Sequence, residues 1–522
     1  MDVRTIPFTL NRAARWYPDR EAFVQGFGGP ERRYTYAEAN TEARRIAQGL
    51  KSLGVEKGDR VALLNDSNVE HALVHYGCTK LGAVPAGLHT REAPNPLASV
   101  IDQIEAKVLL FHPDYTDKVD QIRGKLDVDP ELIVLDHLGE RPDFSRGLSI
   151  VCDDADAREP AEDVTEGDMA YINFSSGTTG LPKPLVTRHG QITEMIHIEA
   201  GGTTEEGRIL NAFGTGFMGW ENVTLTNVGV AATTVFHSGA VERVGELIER
   251  EELTRVSLIT TPWRILLRSG ELEEWDTSSI ESVGVSGEPI TPELYRELSR
   301  TVTEAVGTGY GLTETMGSGT SLPSRLIDEE TVHSVGKPGL SCDVRVIEPG
   351  SRDPEGTVPT GDVGEVIING PSVCSEVYGD PEQTNELFHA DGWVFTGDRG
   401  HIEDGFLYLE GRADNMIISG GINVYAERVE RILEGHPAIA EVAVVGTPHE
   451  RWGEAVKAYV ILTDTETTAA DLEEWCRESD DLANYQRPRE YEFVDRLPRN
   501  NPGKLDRATL RERERRGEEE KK

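Results

Sequence analysis

Residues 173–187, Asn-Phe-Ser-Ser-Gly-Thr-Thr-Gly-Leu-Pro-Lys-Pro-Leu-Val-Thr, form a dense run of side chains able to hold an anion. Ser175, Ser176, Thr178 and Thr179 bring hydroxyl donors, Gly177 and Gly180 interleave them, and Lys183 follows with a positive charge. Glycine admits positive φ and lets backbone N–H groups close on an anion, so the stretch suits a polyphosphate. The spacing G-x-x-x-x-G-K-[ST] is absent, which excludes a Walker A loop. Taken alone, the run also reads as a flexible Ser/Thr/Gly surface loop. The apolar Tyr171-Ile172-Asn173-Phe174 before it reads as a strand end.

A second segment, Gly307-Thr308-Gly309-Tyr310-Gly311-Leu312-Thr313-Glu314-Thr315, sets an aromatic plane, a hydroxyl and a carboxylate close together. An aromatic face buries a purine, a hydroxyl donates to a phosphate oxygen, and a hard carboxylate oxygen suits a hard cation. Shorter signals flank it: Gly287-Glu288-Pro289 before, and Thr396-Gly397-Asp398 after, whose Asp has two oxygens to offer a pair of hydroxyls. Gly411-Arg412-Ala413-Asp414 leads to Ser419-Gly420-Gly421, and Leu497-Pro498-Arg499 leads to Pro502-Gly503-Lys504. Singly, each has an ordinary reading: a core tyrosine, a solvated glutamate, a turn tripeptide, a solvated loop lysine.

In this order the segments resemble the motifs of the adenylate-forming superfamily, which includes acyl- and aryl-CoA synthetases, luciferase-like enzymes and the adenylation domains of peptide synthetases. The likeness runs from about residue 10 to about residue 508. It implies ATP and Mg²⁺ as cofactors and CoA as co-substrate. It implies a phosphate-binding loop at Ser175–Lys183, with Gly287, Glu288, Pro289, Tyr310 and Gly311 at the adenine site. Thr313 would contact the α-phosphate and Glu314 would hold Mg²⁺. Asp398 and Arg412 would take the ribose. Asp414 would be the hinge of a mobile small domain, and Gly420 and Gly421 would lie by the pantetheine tunnel. Lys504 would stand between the substrate carboxylate and the α-phosphate, where a cation stabilises charge building in the transition state. The activity implied is activation of a carboxylic acid as acyl-AMP and transfer of the acyl group to CoA. Loading of a separate carrier protein, or a non-catalytic nucleotide-binding role, remain alternatives.

The sequence departs from the family pattern at several points. Pro184 follows the loop lysine where glycine is common, and Ala426 replaces a usual proline. Asn211-Ala212-Phe213-Gly214 stands where many relatives carry P-L-[FY]-H, with Gly214 in place of the histidine. Trp263 stands where relatives carry a smaller residue, so it either narrows the acid pocket or fills core. Acetate-activating relatives carry Trp at the position of Gly311, so glycine there implies room for a medium, long or aryl acid.

The elements that must position these residues alternate. Tyr36 to Leu53 reads as a helix begun by a capping threonine, Thr35, with Glu38 three residues on. Asp59–Leu64 reads as a buried strand and Glu70–Leu81 as a helix. Ala106–Phe111 and Ser257–Thr261 read as strands, and Val244–Glu252 and Pro292–Val302 as helices. This is the texture of α/β layers. Past residue 330 short strands alternate with turns, as in a small β-rich subdomain, and after Gly411 a compact α+β pattern appears. The expected fold is therefore α/β: a large N-terminal domain (1–413) of layered α/β subdomains plus a small β-rich subdomain, and a small mobile α+β C-terminal domain (414–522).

Composition narrows the partners. The chain has 92 acidic and 53 basic residues, a net charge of −39, and only about a dozen of the basic residues are Lys. A dispersed acidic surface disfavours nucleic acid and anionic membrane and resembles proteins of a salt-loaded cytoplasm. Five scattered cysteines without a C-x-x-C pair read as free thiols in a reducing compartment. No apolar run approaches a membrane span. A cytoplasmic enzyme is expected, and a homodimer is compatible with the sequence.

Overall fold

The structure, a computed structural model, describes every residue except 1, 30, 154, 176–181, 201–203, 288–289, 329, 420–421, 450–451, 465, 480–481, 483, 485, 500–504 and 520–522. The chain divides into two compact units, one of residues 1–344 and 367–395, the other of residues 345–366 and 396–522.

Local signals set the elements of the first unit. The helix Tyr36–Ser52 starts at a capping box: Thr35 Oγ1 accepts from the Glu38 backbone N–H, and Glu38 Oε2 accepts from the Thr35 N–H at 2.9 Å. Two donors that a helix start leaves orphaned are thereby satisfied. The helix Val69–Leu81 starts at Asn68, whose Oδ1 accepts from the His71 N–H, and stops at Gly82 with φ +74°. All 13 of its residues are buried. The reason is its place between two sheets: it packs on the strands Glu21–Gln25 and Val84–Gly87, which belong to different sheets.

The first sheet has nine strands in the order Lys337–Pro338, Thr320–Leu322, Val306–Tyr310, Ser282–Ser286, Arg255–Ile259, Arg208–Asn211, Thr233–Phe236, Glu21–Gln25, Arg33–Thr35. Its middle is parallel and its ends are antiparallel. The second has eight strands in the order Glu376–Val377, Lys183–Arg188, Met169–Ser175, Val84–Gly87, Arg60–Leu64, Val108–Phe111, Glu131–Val134, Arg146–Gly147. Here only the pairings of Lys183–Arg188 are antiparallel. Each sheet carries its own apolar core, around Val256, Leu258 and Trp263 in one and Ala62, Leu109 and Phe111 in the other. The acidic segment 153–168 is a loop, and three of the few lysines tie it down: Lys51 to Glu162 and Lys57 to Asp168, each at 2.7 Å, and Lys80 to Glu159 at 3.0 Å.

In the second unit, residues 345–366 and 396–412 carry most of a four-stranded sheet ordered Asp343–Ile347, Gly364–Asn369, Trp393–Glu403, Phe406–Arg412. A five-stranded sheet follows, built on Met416–Ser419, Ile422–Tyr425, Ile439–His449, Gly453–Leu462 and Glu490–Phe493. The helices Ala426–Glu434 and Arg507–Glu519 pack on the strand Ile439–His449. Among the described residues no helix is long and apolar enough to cross a membrane.

Two expected elements differ. The strand expected at Ser257–Thr261 runs from Arg255 to Ile259, and Thr260 already opens the helix Thr260–Ser269. Pro262 falls in that helix's first turn, where a fixed φ and a missing N–H are tolerated. Thr396-Gly397-Asp398, whose composition suggests a turn, lies inside the long strand Trp393–Glu403.

Candidate active site

The strands Met169–Ser175 and Lys183–Arg188 form an antiparallel hairpin in which Ser175 pairs with Lys183 and Phe174 with Pro184. The two ends of the Ser/Thr/Gly-rich run, Ser175 and Lys183, are therefore cross-strand neighbours, and Ser176, Gly177, Thr178, Thr179 and Gly180 lie outside the described residues. Pro184 continues the strand, its carbonyl accepting from the Tyr378 N–H at 2.8 Å. Among the described residues no carboxylate lies within ion-pairing distance of Lys183. The other lysine ion pairs bind acidic side chains.

The same strand, Met169–Ser175, packs on the 3₁₀ turn Thr313–Thr315. The structure thus brings two motifs that lie about 130 residues apart in sequence to one place. Tyr310, buried, ends the strand Val306–Tyr310 just before this turn. The turn is held from several sides. Thr315 Oγ1 accepts from the Leu312 N–H at 3.0 Å, and the Cys374 N–H donates to the Glu314 carbonyl at 2.7 Å. The Cys374 thiol reaches the Thr313 carbonyl at 3.5 Å and Thr187 Oγ1 at 3.6 Å, and burial raises its pKa to about 12. Ser372 Oγ donates to the Thr315 carbonyl and Asn222 Nδ2 to that of Met316. These backbone restraints leave the Thr313 and Glu314 side chains half-buried. No cation pairs with Glu314 among the described residues, and no three-carboxylate or histidine cluster stands near it. One unpaired carboxylate on a turn packed against the strand Met169–Ser175 would suit Mg²⁺, which takes one or two protein oxygens.

Gly311 is required for a reason other than the expected one. A Cβ there would stand 2.1 Å from the Gly317 carbonyl oxygen. The space that glycine was expected to leave for substrate is occupied by the chain's own backbone. Gly214 is close-packed too, since a Cβ there would stand 3.0 Å from the Phe217 ring. Trp263 is 0% exposed and its Nε1 donates to the Gly284 carbonyl at 2.9 Å, so it fills core and does not narrow a pocket. Gly287 has φ +85° after the strand Ser282–Ser286, a left-handed turn that glycine permits. Glu288 and Pro289 lie outside the described residues.

In the second unit Asp398 and Arg412 are a cross-strand pair, with Arg412 Nη1 3.3 Å from Asp398 Oδ1. Asp398 is 7% exposed, and its N–H donates to Thr396 Oγ1, which itself donates to the Val366 carbonyl at 2.6 Å. Gly397 has φ +71°, and a Cβ there would meet Arg412 Nη2 at 3.1 Å. The tripeptide is a strand irregularity shaped to seat the guanidinium beside the carboxylate. Asp414 lies in the 3₁₀ turn Ala413–Asn415. Its neighbour Asn415 donates to Glu427 Oε1 at 2.6 Å and accepts from Arg511. Gly420, Gly421 and Lys504 lie outside the described residues. The segment holding Lys504 is bracketed by a bridge between Arg499 and Leu505, with Arg499 paired to Glu441 at 2.7 Å.

Sequence reasoning did not find Cys374, Ser372 or Asn222. Cys374 carried no motif signal, because its contribution is a backbone N–H and a thiol aimed at carbonyls.

Comparison with known proteins follows the same lines. The AMP-binding enzyme family model matches residues 10–378, and the AMP-binding enzyme C-terminal domain matches residues 428–504. The chain is similar to the long-chain-fatty-acid–CoA ligase FadD13 of Mycobacterium tuberculosis (strain ATCC 25618 / H37Rv), at 32% identity over 98% of each protein. It is similar to a feruloyl-CoA synthase of an Amycolatopsis species, at 32% identity over 92% of this chain and 94% of the relative. Among solved structures it resembles the anthranilate CoA ligase AuaEII in complex with anthranoyl-AMP, with a TM-score of 0.87, 26% identity, and coverage of 98% of this chain and 97% of that one.

Proposed function

The chain belongs to the AMP-binding enzyme family, and on that premise we propose that it is an ATP-dependent acyl-CoA synthetase, an AMP-forming acid–thiol ligase. The substrate carboxylate attacks the α-phosphorus of ATP, the bond to the β-phosphate oxygen breaks, and pyrophosphate leaves. The CoA thiolate then attacks the acyl carbonyl of the adenylate and AMP leaves. Such chemistry rests on positioning and charge neutralisation more than on a protein nucleophile. The observation that carries the reading is the packing of the strand ending at Ser175 on the Thr313–Thr315 turn.

Ser175, the loop after it and Lys183 take the pyrophosphate moiety. Thr313 takes the α-phosphate, Tyr310 the adenine, and Asp398 with Arg412 the ribose. Glu314 would hold Mg²⁺, which supplies charge neutralisation for the phosphates when bound. Lys504 is assigned to the reacting centre, Asp414 to the hinge, and Gly420 and Gly421 to the pantetheine path. The corresponding boundary of the mobile domain is set at 413/414. The acid is a medium- or long-chain fatty acid or an aryl acid, in keeping with relatives named for fatty and ferulic acids. The cytoplasm is the assigned compartment.

The test is pyrophosphate release with Mg·ATP across short, medium, long and aryl carboxylates, with and without CoA. CoA-dependent turnover on one class supports the reading and identifies the acid. Adenylation with a silent CoA step points to a carrier-protein acceptor, and silence throughout overturns the catalytic reading. Gly311→Ala is expected to push the Gly317 backbone and the Thr313–Glu314 turn apart. Misplacement of this size costs about a hundredfold in rate, read as pyrophosphate release with the best acid.

The acidic, lysine-poor surface is assigned to a salt-loaded cytoplasm. With 39 net negative charges on 22800 Å², one charge falls on roughly 600 Å², a mean spacing of about 24 Å. The Debye length is about 30 Å at 0.01 M salt and about 10 Å at 0.1 M. Screening alone therefore raises the thermal midpoint between these two concentrations and adds little beyond. A midpoint that keeps rising through molar KCl supports salt adaptation, and a plateau above about 0.1 M removes it.

A further inference from the structure

The strand Lys183–Arg188 is paired along both edges. Met169–Ser175 takes one edge, and Glu376–Val377 takes the other, with Glu376 opposite Val186 and Val377 opposite Leu185. The Tyr378 N–H donates to the Pro184 carbonyl at 2.8 Å, and Arg188 Nη2 donates to Glu376 Oε1 at 2.7 Å. Residues 376–378 are thus laid along the strand that begins at Lys183. The residues just before them hold the Thr313–Thr315 turn. The Cys374 N–H donates to the Glu314 carbonyl, and Ser372 Oγ donates to the Thr315 carbonyl at 3.3 Å. Between them, the Val373 carbonyl accepts from Gln191 Nε2, on the helix His189–Glu199 that follows the same strand. One short segment therefore grips both the strand that begins at Lys183 and the turn that carries Thr313 and Glu314.

The Cys374 side chain stands at the join. It is buried, as is Thr187 on the strand Lys183–Arg188. Its sulfur lies 3.6 Å from Thr187 Oγ1 and 3.5 Å from the Thr313 carbonyl oxygen. A carbonyl can only accept, and a thiol has one hydrogen to give. That hydrogen therefore goes to Thr313, and the Thr187 hydroxyl donates to the sulfur. The relay runs in one direction, from the strand through the thiol to the turn. Both spans suit the larger sulfur atom but exceed the reach of a hydroxyl, whose bonds to oxygen measure about 2.5–3.0 Å. Serine at this position would reach one partner at most unless the backbone closed in.

We propose that Cys374 is a positioning residue for ATP binding and adenylation: its thiol, with Ser372, locks the Thr313–Thr315 turn to the strand that begins at Lys183. The lysine assigned to pyrophosphate and the residues assigned to the α-phosphate and Mg²⁺ then keep one spacing. This rests on the reading of Lys183, Thr313 and Glu314 given above. Cys374 acts through the carbonyls of the turn and not on the reacting atoms. Removing the thiol takes this partner from both Thr187 Oγ1 and the Thr313 carbonyl. The turn then hangs on segment 372–374 by the Glu314 and Thr315 carbonyls alone, and Thr313 is released from the strand.

The experiment is calorimetric titration of the full chain with Mg·ATP, with pyrophosphate release as the second reading. The proteins are wild type, Cys374→Ala, Cys374→Ser, Thr187→Val and the double variant. C374A is expected to weaken Mg·ATP binding about fivefold and to lower kcat about tenfold, part of the hundredfold that misplacement by about 1 Å costs, with the KM of the carboxylic acid within about twofold of wild type. C374S should fall between C374A and wild type. T187V should act in the same sense and add nothing in the C374A background, since both break one relay. Cys78→Ala, which removes a buried thiol from the helix Val69–Leu81, is the control. It should lower the thermal midpoint and leave Mg·ATP affinity alone. A C374A protein that behaves like C78A overturns the proposal. So do strictly additive effects of C374A and T187V, or an effect confined to the KM of the acid. Should C374A fail to fold, C374S and T187V carry the test, and unchanged Mg·ATP affinity in both overturns the proposal. Wild type that binds no Mg·ATP overturns the functional reading itself, and this proposal with it.

Discussion

Lys504→Ala is expected to lower pyrophosphate release by about a thousandfold while Mg·ATP affinity changes little. A preorganised donor aimed at developing charge contributes about 3–4 kcal/mol to a transition state and far less to the ground state. The frame for such a donor is visible on both sides of Lys504. Arg499 and Leu505 bridge, and the Asp506 N–H donates to the Pro498 carbonyl at 2.9 Å. Leu497 and Leu505 pack with Ala443, Val445, Tyr459 and Leu510, and Arg499 is ion-paired to Glu441. Restraint at both ends lowers the entropy lost in placing the lysine. Lysine use elsewhere sharpens the point. Lys51, Lys57, Lys80, Lys107 and Lys457 are each engaged by a carboxylate, and Lys118 and Lys125 by neutral oxygens. Lys183 and Lys504 lie in motifs instead. Lys504→Arg keeps the charge but changes a compact ammonium to a planar fork, and should recover only part of the rate. Thioester formation from supplied acyl-adenylate should survive in K504A. Full ATP-dependent turnover by K504A would remove Lys504 from the reacting centre.

Legibility followed the range of the interactions. The Thr35–Glu38 box, the Asn68 cap and the Gly82 stop are contacts within a few residues, and the sequence showed the helix start at Thr35 directly. The motif order exposed Ser175, Lys183, Tyr310, Thr313 and Glu314. Their meeting, by contrast, depends on which face of Met169–Ser175 receives the Thr313 turn, and the sheet order decides that. Glycine was read as room at Gly311, but a glycine also allows backbone to close in, and here Gly317 does so. Asp398 and Arg412 were identified separately. Their pairing required Gly397 to adopt φ +71° inside a strand, a conformation that strand propensity argues against.

The hardest feature to read was the buried acid that closes the edge of the first sheet, and its removal carries the largest expected loss of stability. Glu251, with a side chain 1% exposed, ends the helix Val244–Glu251. Arg33 and Arg208 each reach it at 2.7 Å and Arg250 at 3.1 Å, while Arg208 Nε donates to its backbone carbonyl. Glu21 closes the far side, at 2.8 Å from Arg208 and 3.2 Å from Arg33. Burial alone would raise the Glu21 pKa, but hydrogen bonds from Arg208 and Arg33 hold it below its ordinary value. The cluster ties the edge strand Arg33–Thr35 to Arg208–Asn211, three strands further in. Glu251→Ala takes the shared carboxylate from three guanidinium groups, leaving Arg208 with Glu21 and Arg33 with Glu21 and the exposed Glu31. Breaking a buried pair from one side costs about 3–5 kcal/mol. Arg33 and Arg250 are each more than a third exposed and partly shielded by water, so the lower end, about 3 kcal/mol, is expected. Glu251→Gln keeps an acceptor and the side-chain volume and should cost less. The measurement is the urea midpoint together with amide exchange of residues 21–35, which should speed up more than that of the opposite edge. A loss below about 1 kcal/mol with exchange unchanged would reduce the cluster to an ordinary surface ion-pair network.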